Sequence, residues 1–280
     1  GASGGCQRNR SRRHLWILYR IIYGCRICSS QWKEITPSDH DTNSIWTGSE
    51  MAFDRICAGF FLAQTESFSE SSHLARMCER GYAIAIVEHR ESDLAPFPAQ
   101  VIDVKTAIRF LRLNGRSYHI DTDKISLWGD SSGAHSALIA GITGNTKYLP
   151  EEYPEVSTEV DCIVDWFGPT DLMAAVQHPA VIDHDSSTSP AGILIGGKSL
   201  HDHPEDVYPT NPVVHLQPDR ETPPILIMHG GRDPLVPFKQ SCILYEALKQ
   251  MDKEVEFVKL KNAGHGWGGF MSETALNIVE

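Results

Sequence analysis

Short apolar runs alternate with amphipathic stretches along the chain from about Ser72 onward. Apolar runs of this length, bounded by turn residues, are typical of buried parallel strands, and amphipathic stretches with a period near 3.6 are typical of helices. The predicted strands are Tyr82–Glu88, Lys124–Trp128, Val160–Trp166, Pro224–Met228 and Val255–Leu260, and the predicted helices are Ala99–Leu113, Ser132–Ile142, Phe238–Met251 and Ser272–Val279. This alternation predicts an α/β fold with a doubly wound, mostly parallel sheet.

Two segments depart from this regular alternation. Residues 1–70 show little periodicity, so we predict an atypical N-terminal segment without a clean strand or capped helix, followed by one domain over 71–280. Within that domain, residues 172–222 are irregular and rich in His, Asp and Pro, with a short apolar patch at 191–195. A segment of this kind between two strands is interpreted as a cap-like insert over the sheet edge.

Charge and cysteine content narrow the choice of partners. The formal net charge is −11 and the sequence pI about 5.6, which disfavours nucleic acid as a partner. No run of 18 apolar residues exists, so no membrane span is expected. The seven cysteines do not form a disulfide pattern and favour a reducing, cytoplasmic compartment. The apolar stretch Leu15–Tyr23 only weakly resembles a secretion signal, and Cys25 and Cys28 lack the second pair that a zinc site needs.

A candidate nucleophile lies in the motif Gly-Asp-Ser-Ser-Gly at 129–133. The motif follows a predicted strand and precedes a predicted helix, which is the arrangement that exposes the central serine, Ser131, on a sharp turn. The helix behind it begins with unpaired N–H groups and a partial positive charge. We therefore expect Ser131 to attack a carbonyl carbon and the N–H of Ser132 to bind the resulting oxyanion.

A serine hydroxyl needs a base, and the base needs an acid that orients it. Asp233 follows the fourth predicted strand in His-Gly-Gly-Arg-Asp-Pro, and His265 follows the fifth in Gly-His-Gly. Both positions lie at the sheet edge that carries Ser131, which predicts a triad of Ser131, Asp233 and His265. His229 is interpreted as a structural residue at a strand end. His135, His178, His184, His201 and His203 are assigned to helix surfaces or loops.

The motifs after position 72 resemble the acetyl-xylan and feruloyl esterase group of α/β-hydrolases, which is related to the hormone-sensitive-lipase-like esterases. The resemblance covers residues 72–280 and rests on the serine motif, the order Ser, Asp, His, and the segments Gly81–Arg90, Ala95–Arg112, Ile120–Ile125, Phe167–Asp171, Arg232–Pro237 and Gly264–Gly266. It implies an α/β-hydrolase fold and a serine esterase that cleaves short-chain acetyl- or feruloyl-type esters, of small molecules or of carbohydrates, through an acyl-enzyme without a cofactor or metal.

The family pattern is interrupted upstream of Tyr82. Related esterases carry a strand ending in a His-Gly-Gly or Gln-Gly loop, which supplies a second oxyanion N–H, and the segment Ile56–Ala63 has no such motif. Synonymous codons read one nucleotide later from Met51 can encode W-P-L-I-V-F-V-Q-G-S-S, which has the expected pattern. Our hypothesis is that residues 1–70 are a frame-shifted translation. The alternative is a divergent N-terminal extension.

Other functions stay open at this point. A peptidase of the prolyl-oligopeptidase type shares the order of the triad, but such enzymes usually carry a propeller domain for which this chain has no room. Without the oxyanion loop, the chain could also be a catalytically impaired pseudo-hydrolase. Without the strand that carries this loop, the strand Tyr82–Glu88 would have an open apolar edge. A metal site at His201–His203 lacks a clear third ligand.

Overall fold

A central β-sheet organises the chain. The computed structural model describes residues 76–78, 80–118, 120–178, 180–266, 268–270 and 272–280, together with the backbone of strands within 14–35 and at 59–64. The strands are β1 (His14–Tyr19), β2 (Ile22–Tyr23), β3 (Arg26–Ile27), β4 (Gln31–Ile35), β5 (Gly59–Gln64), β6 (Tyr82–Glu88), β7 (Ile125–Asp130), β8 (Cys162–Trp166), β9 (Ile225–Gly230) and β10 (Val255–Leu260).

Eight of these strands form one sheet in the order β10-β9-β8-β7-β5-β6-β1-β4. The six strands from β10 to β6 are parallel, while β1 pairs antiparallel with both β6 and β4. The five strands predicted from the apolar runs are all present. The second and fourth predictions ended two residues early, because β7 continues through Gly129 and Asp130 and β9 continues through His229 and Gly230.

The prediction that residues 1–70 contain no strand is wrong. β5 pairs parallel with β6 and β7, and β1 covers the other side of β6, so β6 has no open edge. The β5 sequence Gly-Phe-Phe-Leu-Ala-Gln is short, apolar and without alternation, and its partners in the sheet rather than its own periodicity decide its structure. The frame-shift hypothesis stays a prediction, and the rest of residues 1–70, with Cys25 and Cys28, lies outside the described residues.

Helices cover both faces of the sheet. They are α1 (Ala99–Asn114), α2 (Ser132–Thr143), α3 (Leu172–Val176), α4 (Pro190–Leu194), α5 (Pro204–Val207), α6 (Lys239–Gln250) and α7 (Glu273–Val279). One core cluster joins α1, α2 and α6 to the sheet through side chains such as Ile108, Leu138 and Leu244. A second cluster joins α7 to the opposite face through Trp128 and Leu276. The doubly wound α/β architecture is therefore confirmed.

The insert at 172–222 consists of the short helices α3, α4 and α5 and two 3₁₀ turns, with a small apolar cluster of its own. Its backbone is bonded to loops at the carboxyl edge of the sheet. Val181 donates its N–H to Pro234 O at 3.0 Å, and Leu194 O accepts the N–H of Phe97 at 2.8 Å. None of the described helices combines the length and apolar character that crossing a bilayer requires.

Candidate active site

Ser131 lies on a tight turn between β7 and α2. Its φ is +52° and its ψ is −121°, a conformation that costs energy for a residue with a side chain and is held only where the surroundings enforce it. Here the Ser131 N–H donates to Trp166 O at 2.9 Å, and Ser131 O accepts the N–H of His135 at 3.1 Å. A Cβ at Gly129 would come within 2.3 Å of the backbone of Gly133, so the turn requires glycine there.

Asp233 lies in the loop after β9 with its side chain fully buried. One carboxylate oxygen accepts the backbone N–H groups of Leu235 at 2.8 Å and Val236 at 2.9 Å. The other oxygen faces His265. Burial acts to raise the pKa of Asp233, but the hydrogen bonds from His229, His265 and Val236 outweigh it and hold that pKa below its usual range. Asp233 is therefore a carboxylate at neutral pH.

His265 joins the other two residues. Its Nδ1 lies 2.8 Å from Asp233 Oδ2, and its Nε2 lies 3.0 Å from Ser131 Oγ. Because an ionised Asp233 can only accept, Nδ1 carries the proton and Nε2 is free to accept the proton of Ser131. The structure thus brings Ser131, Asp233 and His265 together in the arrangement of a nucleophile, an orienting acid and a base.

His229 supports Asp233 from behind, a role that the sequence did not reveal. The imidazole is fully buried, and its Nε2 lies 3.1 Å from Val236 O and 3.3 Å from Asp233 Oδ2. Its Nδ1 lies 2.7 Å from Ser241 Oγ. Because Nε2 faces two acceptors, we place the proton there, so that the hydroxyl of Ser241 donates to Nδ1. His229 therefore has a structural role, as the sequence indicated, and it acts by contacting the triad residue Asp233.

The residue predicted to bind the oxyanion lies at the start of α2. Ser132 is the first residue of that helix and lies at the positive end of its dipole. β5 lies beside this turn, since Gln64 at its carboxyl end pairs with Gly129 in β7. The residues after Gln64 lie outside the described ones.

The assignment of His135 to a helix surface is wrong. Its side chain is buried, and Nε2 lies 2.6 Å from Thr210 O, so His135 joins α2 to the insert. Nearby, Nε2 of His215, which is also buried, lies 2.8 Å from Pro209 O. Burial lowers the pKa of His135 to about 4, against the opposing effect of the Thr210 bond, and burial also lowers the pKa of His215. The pattern of apolar and polar residues cannot reveal such contacts, because they form only when the insert folds onto α2.

These two histidines predict acid destabilisation. The unfolded chain binds protons at histidine as pH falls below about 6.5, while His135 stays neutral in the folded state down to about pH 4. Unfolding free energy should therefore fall between those values by up to about 1.4 kcal/mol per pH unit for this group. Urea titrations from pH 7 to 4 measure this slope as the difference between wild type and variant, because buried Asp165, with its pKa raised to about 7, contributes an opposite slope to both. His135→Gln, which keeps a donor for Thr210 O, should flatten it.

The matched control for this titration is His201→Gln. His201 lies in the same insert but is exposed, so replacing it should leave the slope unchanged. Asp233 does not interfere with the measurement, because a lowered carboxyl pKa reduces stability only below about pH 4. An identical acid slope for wild type and His135→Gln would contradict the role of His135.

The structure brings together a group of metal-ligand side chains that differs from the His201–His203 site considered in the sequence. His203, Glu205 and Asp206 have ligand atoms within 4.8 Å of one another, and His201 is not part of the group. The ammonium group of Lys198 lies 2.6 Å from Asp206 Oδ2 and already neutralises this carboxylate. We therefore assign no metal to the cluster.

Comparisons with known proteins identify the family of the chain. A family model described as BD-FAE matches residues 57–248. Esterase LipC of Mycobacterium tuberculosis is 28% identical over 198 residues, covering 69% of this chain but 47% of its own length. The chain thus spans about half the length of that curated relative.

Two solved structures are similar along most of the chain. A truncated carbohydrate esterase from gut microbiota has a TM-score of 0.70 at 28% identity, covering 79% of this chain and 82% of its own. The bifunctional GH43-CE protein of Bacteroides eggerthii has a TM-score of 0.70 at 29% identity, covering 81% of this chain and 34% of its own.

Proposed function

The chain belongs to the BD-FAE family, and from this premise we propose that it is a serine hydrolase of short-chain carboxylic esters, acting on acetyl- or feruloyl-type groups. The observation that carries the proposal is the continuous path of hydrogen bonds from Ser131 Oγ through His265 to Asp233, at 3.0 and 2.8 Å. The names of the similar proteins, which include a carbohydrate esterase, support carbohydrate esters as one substrate class.

The first half of the reaction follows from the atoms in place. Ser131 Oγ attacks the ester carbonyl while His265 Nε2 takes its proton, and Asp233 stabilises the imidazolium that forms. The N–H of Ser132 donates to the oxyanion, with the positive end of α2 behind it. Collapse of the tetrahedral intermediate transfers the proton from His265 to the leaving alcohol and leaves an acyl group on Ser131.

The second half repeats the same steps with water. His265 takes a proton from a water molecule that attacks the acyl carbon, and then returns the proton to Ser131 as the acid leaves. All proton transfers use these protein groups, so we expect EDTA to leave the activity unchanged.

The insert at 172–222 is the segment that we propose as a cap for the substrate. The exposed residue Val181 belongs to this insert, and its backbone N–H donates to the carbonyl of Pro234, the neighbour of Asp233. An apolar side chain in this position suits a small acyl or alcohol group. Cytoplasmic location remains part of the proposal, and it rests on cysteine usage alone.

A substrate panel tests the proposed specificity. We expect p-nitrophenyl acetate and butyrate to be hydrolysed with a kcat/KM at least about tenfold above that of the octanoate. Methyl ferulate and acetylated xylo-oligosaccharides test the feruloyl and carbohydrate classes, and Ala-Pro p-nitroanilide tests the peptidase alternative. Faster cleavage of the dipeptide than of the acetate would contradict the proposal, and Ser131→Ala is the background control for every substrate.

A further inference from the structure

Phe167 has an unusual backbone conformation next to the triad. It directly follows β8, and its φ of +46° is a region that residues with a side chain rarely adopt. Two hydrogen bonds hold it there: the Phe167 N–H donates to Met228 O at 2.8 Å, and the next N–H, of Gly168, donates to Asp165 Oδ1 at 2.8 Å. Strain of this kind persists where surrounding structure enforces it, and it is concentrated at functional sites.

The consequence of this backbone conformation is the position of the Phe167 ring. The ring is buried, and its centroid lies 4.5 Å from that of the His265 imidazole, with 54° between the two planes. It also lies 6.4 Å from the ring of His229, which supports Asp233. Phe270 packs against its other side at 4.9 Å. The Phe167 ring therefore packs between Phe270 in the core and the catalytic base His265.

We propose that Phe167 is a positioning residue for His265, which holds the imidazole in the plane joining Ser131 and Asp233 and presents its ring to the imidazolium formed during catalysis. This inference rests on the proposed function. An aromatic face within about 6 Å of a cation stabilises it electrostatically. This stabilisation is largest in the transition state, because His265 then carries the proton. The ring is buried, so water does not compete with it for the imidazolium.

Other titratable groups near His265 are part of the same account. Ser131 faces it from the turn before α2, Asp233 from the loop after β9, and His229 lies behind Asp233. Asp165, which lies in β8 two residues before Phe167, is fully buried, and burial raises its pKa to about 7, against the opposing bond from Gly168. Asp165 accepts a hydrogen bond from the Gly168 backbone, next to Phe167. A variant of Asp165 must therefore show whether its titration, rather than the Phe167 ring, affects the pH profile.

The test compares Phe167→Leu with Phe270→Leu. Leucine keeps a branched side chain on the strained backbone but removes the aromatic ring beside His265. The control removes a ring that is equally buried and packs on Trp166 and Phe167, one layer further from the imidazole. Asp165→Asn, which keeps an acceptor for the Gly168 N–H, controls for titration of the carboxyl group.

For Phe167→Leu we expect kcat with p-nitrophenyl acetate to fall about tenfold with KM unchanged, as for an interaction made only in the transition state. The acid limb of the rate profile should move about half a unit to lower pH, because the ring no longer favours the protonated imidazole. Phe270→Leu should lower thermal stability but leave the limb in place, and Asp165→Asn should also leave it in place.

A readout without turnover separates this inference from the proposed function. The ring C–H resonance of His265, assigned by its loss in His265→Gln, is titrated by NMR in wild type and in both leucine variants. A lower midpoint in Phe167→Leu alone supports the inference even if wild type cleaves no ester, in which case the proposed function fails by itself. Equal midpoints and equal kcat values in the two leucine variants would overturn the inference.

Discussion

Ser131→Ala should reduce hydrolysis of p-nitrophenyl acetate by about 10⁶-fold, as loss of the nucleophile does in other triad enzymes. The reason is that the Ser131 oxygen forms the acyl-enzyme. His265 Nε2, which takes the proton, lies 3.0 Å from that oxygen. The measurement is initial rates with purified protein at neutral pH, where Asp233 is ionised.

Ser132→Ala is the matched control for this substitution. It removes a neighbouring hydroxyl but keeps the backbone N–H that we assign to the oxyanion, so the rate should change at most a few-fold. Substantial hydrolysis by Ser131→Ala, or a loss in Ser132→Ala as large as that in Ser131→Ala, would contradict the assignment of the nucleophile.

The second large effect concerns the N-terminal segment. If residues 1–70 are a frame-shifted translation, the chain as it stands lacks the Gln-Gly-Ser loop and one oxyanion donor, which typically costs about 10²–10³ in rate. A gene whose first 70 codons are read one nucleotide later, rejoining near His73, should then give an enzyme more active by about that factor. The measurement is kcat/KM for p-nitrophenyl acetate in the two forms.

The structure sharpens this comparison. In the alternative frame the apolar run ends at position 57 and the loop covers 58–61, whereas β5 in the present chain is Gly59–Gln64. β5 also removes the open edge at β6 that we expected from the sequence, so the predicted difference is in rate rather than in solubility. Equal activity of the two forms would disprove the frame-shift hypothesis, and a segment between Gly48 and Thr65 would then have to supply the second donor.

Much of the catalytic domain was predictable because its signals are local. The five apolar runs became β6 to β10, and glycine-flanked turns marked the strand ends at which Ser131 and His265 lie. The contacts of His229, His135 and Phe167 were not predictable, since each depends on two segments that meet only in the folded chain. β5 was missed for the same reason, because its pairing with β6 and β7 decides its structure.

Covalent labelling tests the central claim most directly. A fluorophosphonate reacts with a serine only where a base and an oxyanion site activate it, and peptide mass spectrometry then identifies the modified residue. We expect a single adduct on the peptide containing Ser131, absent from Ser131→Ala and retained in Ser132→Ala. An ester-cleaving preparation that carries its adduct on another residue, or carries none, would contradict it.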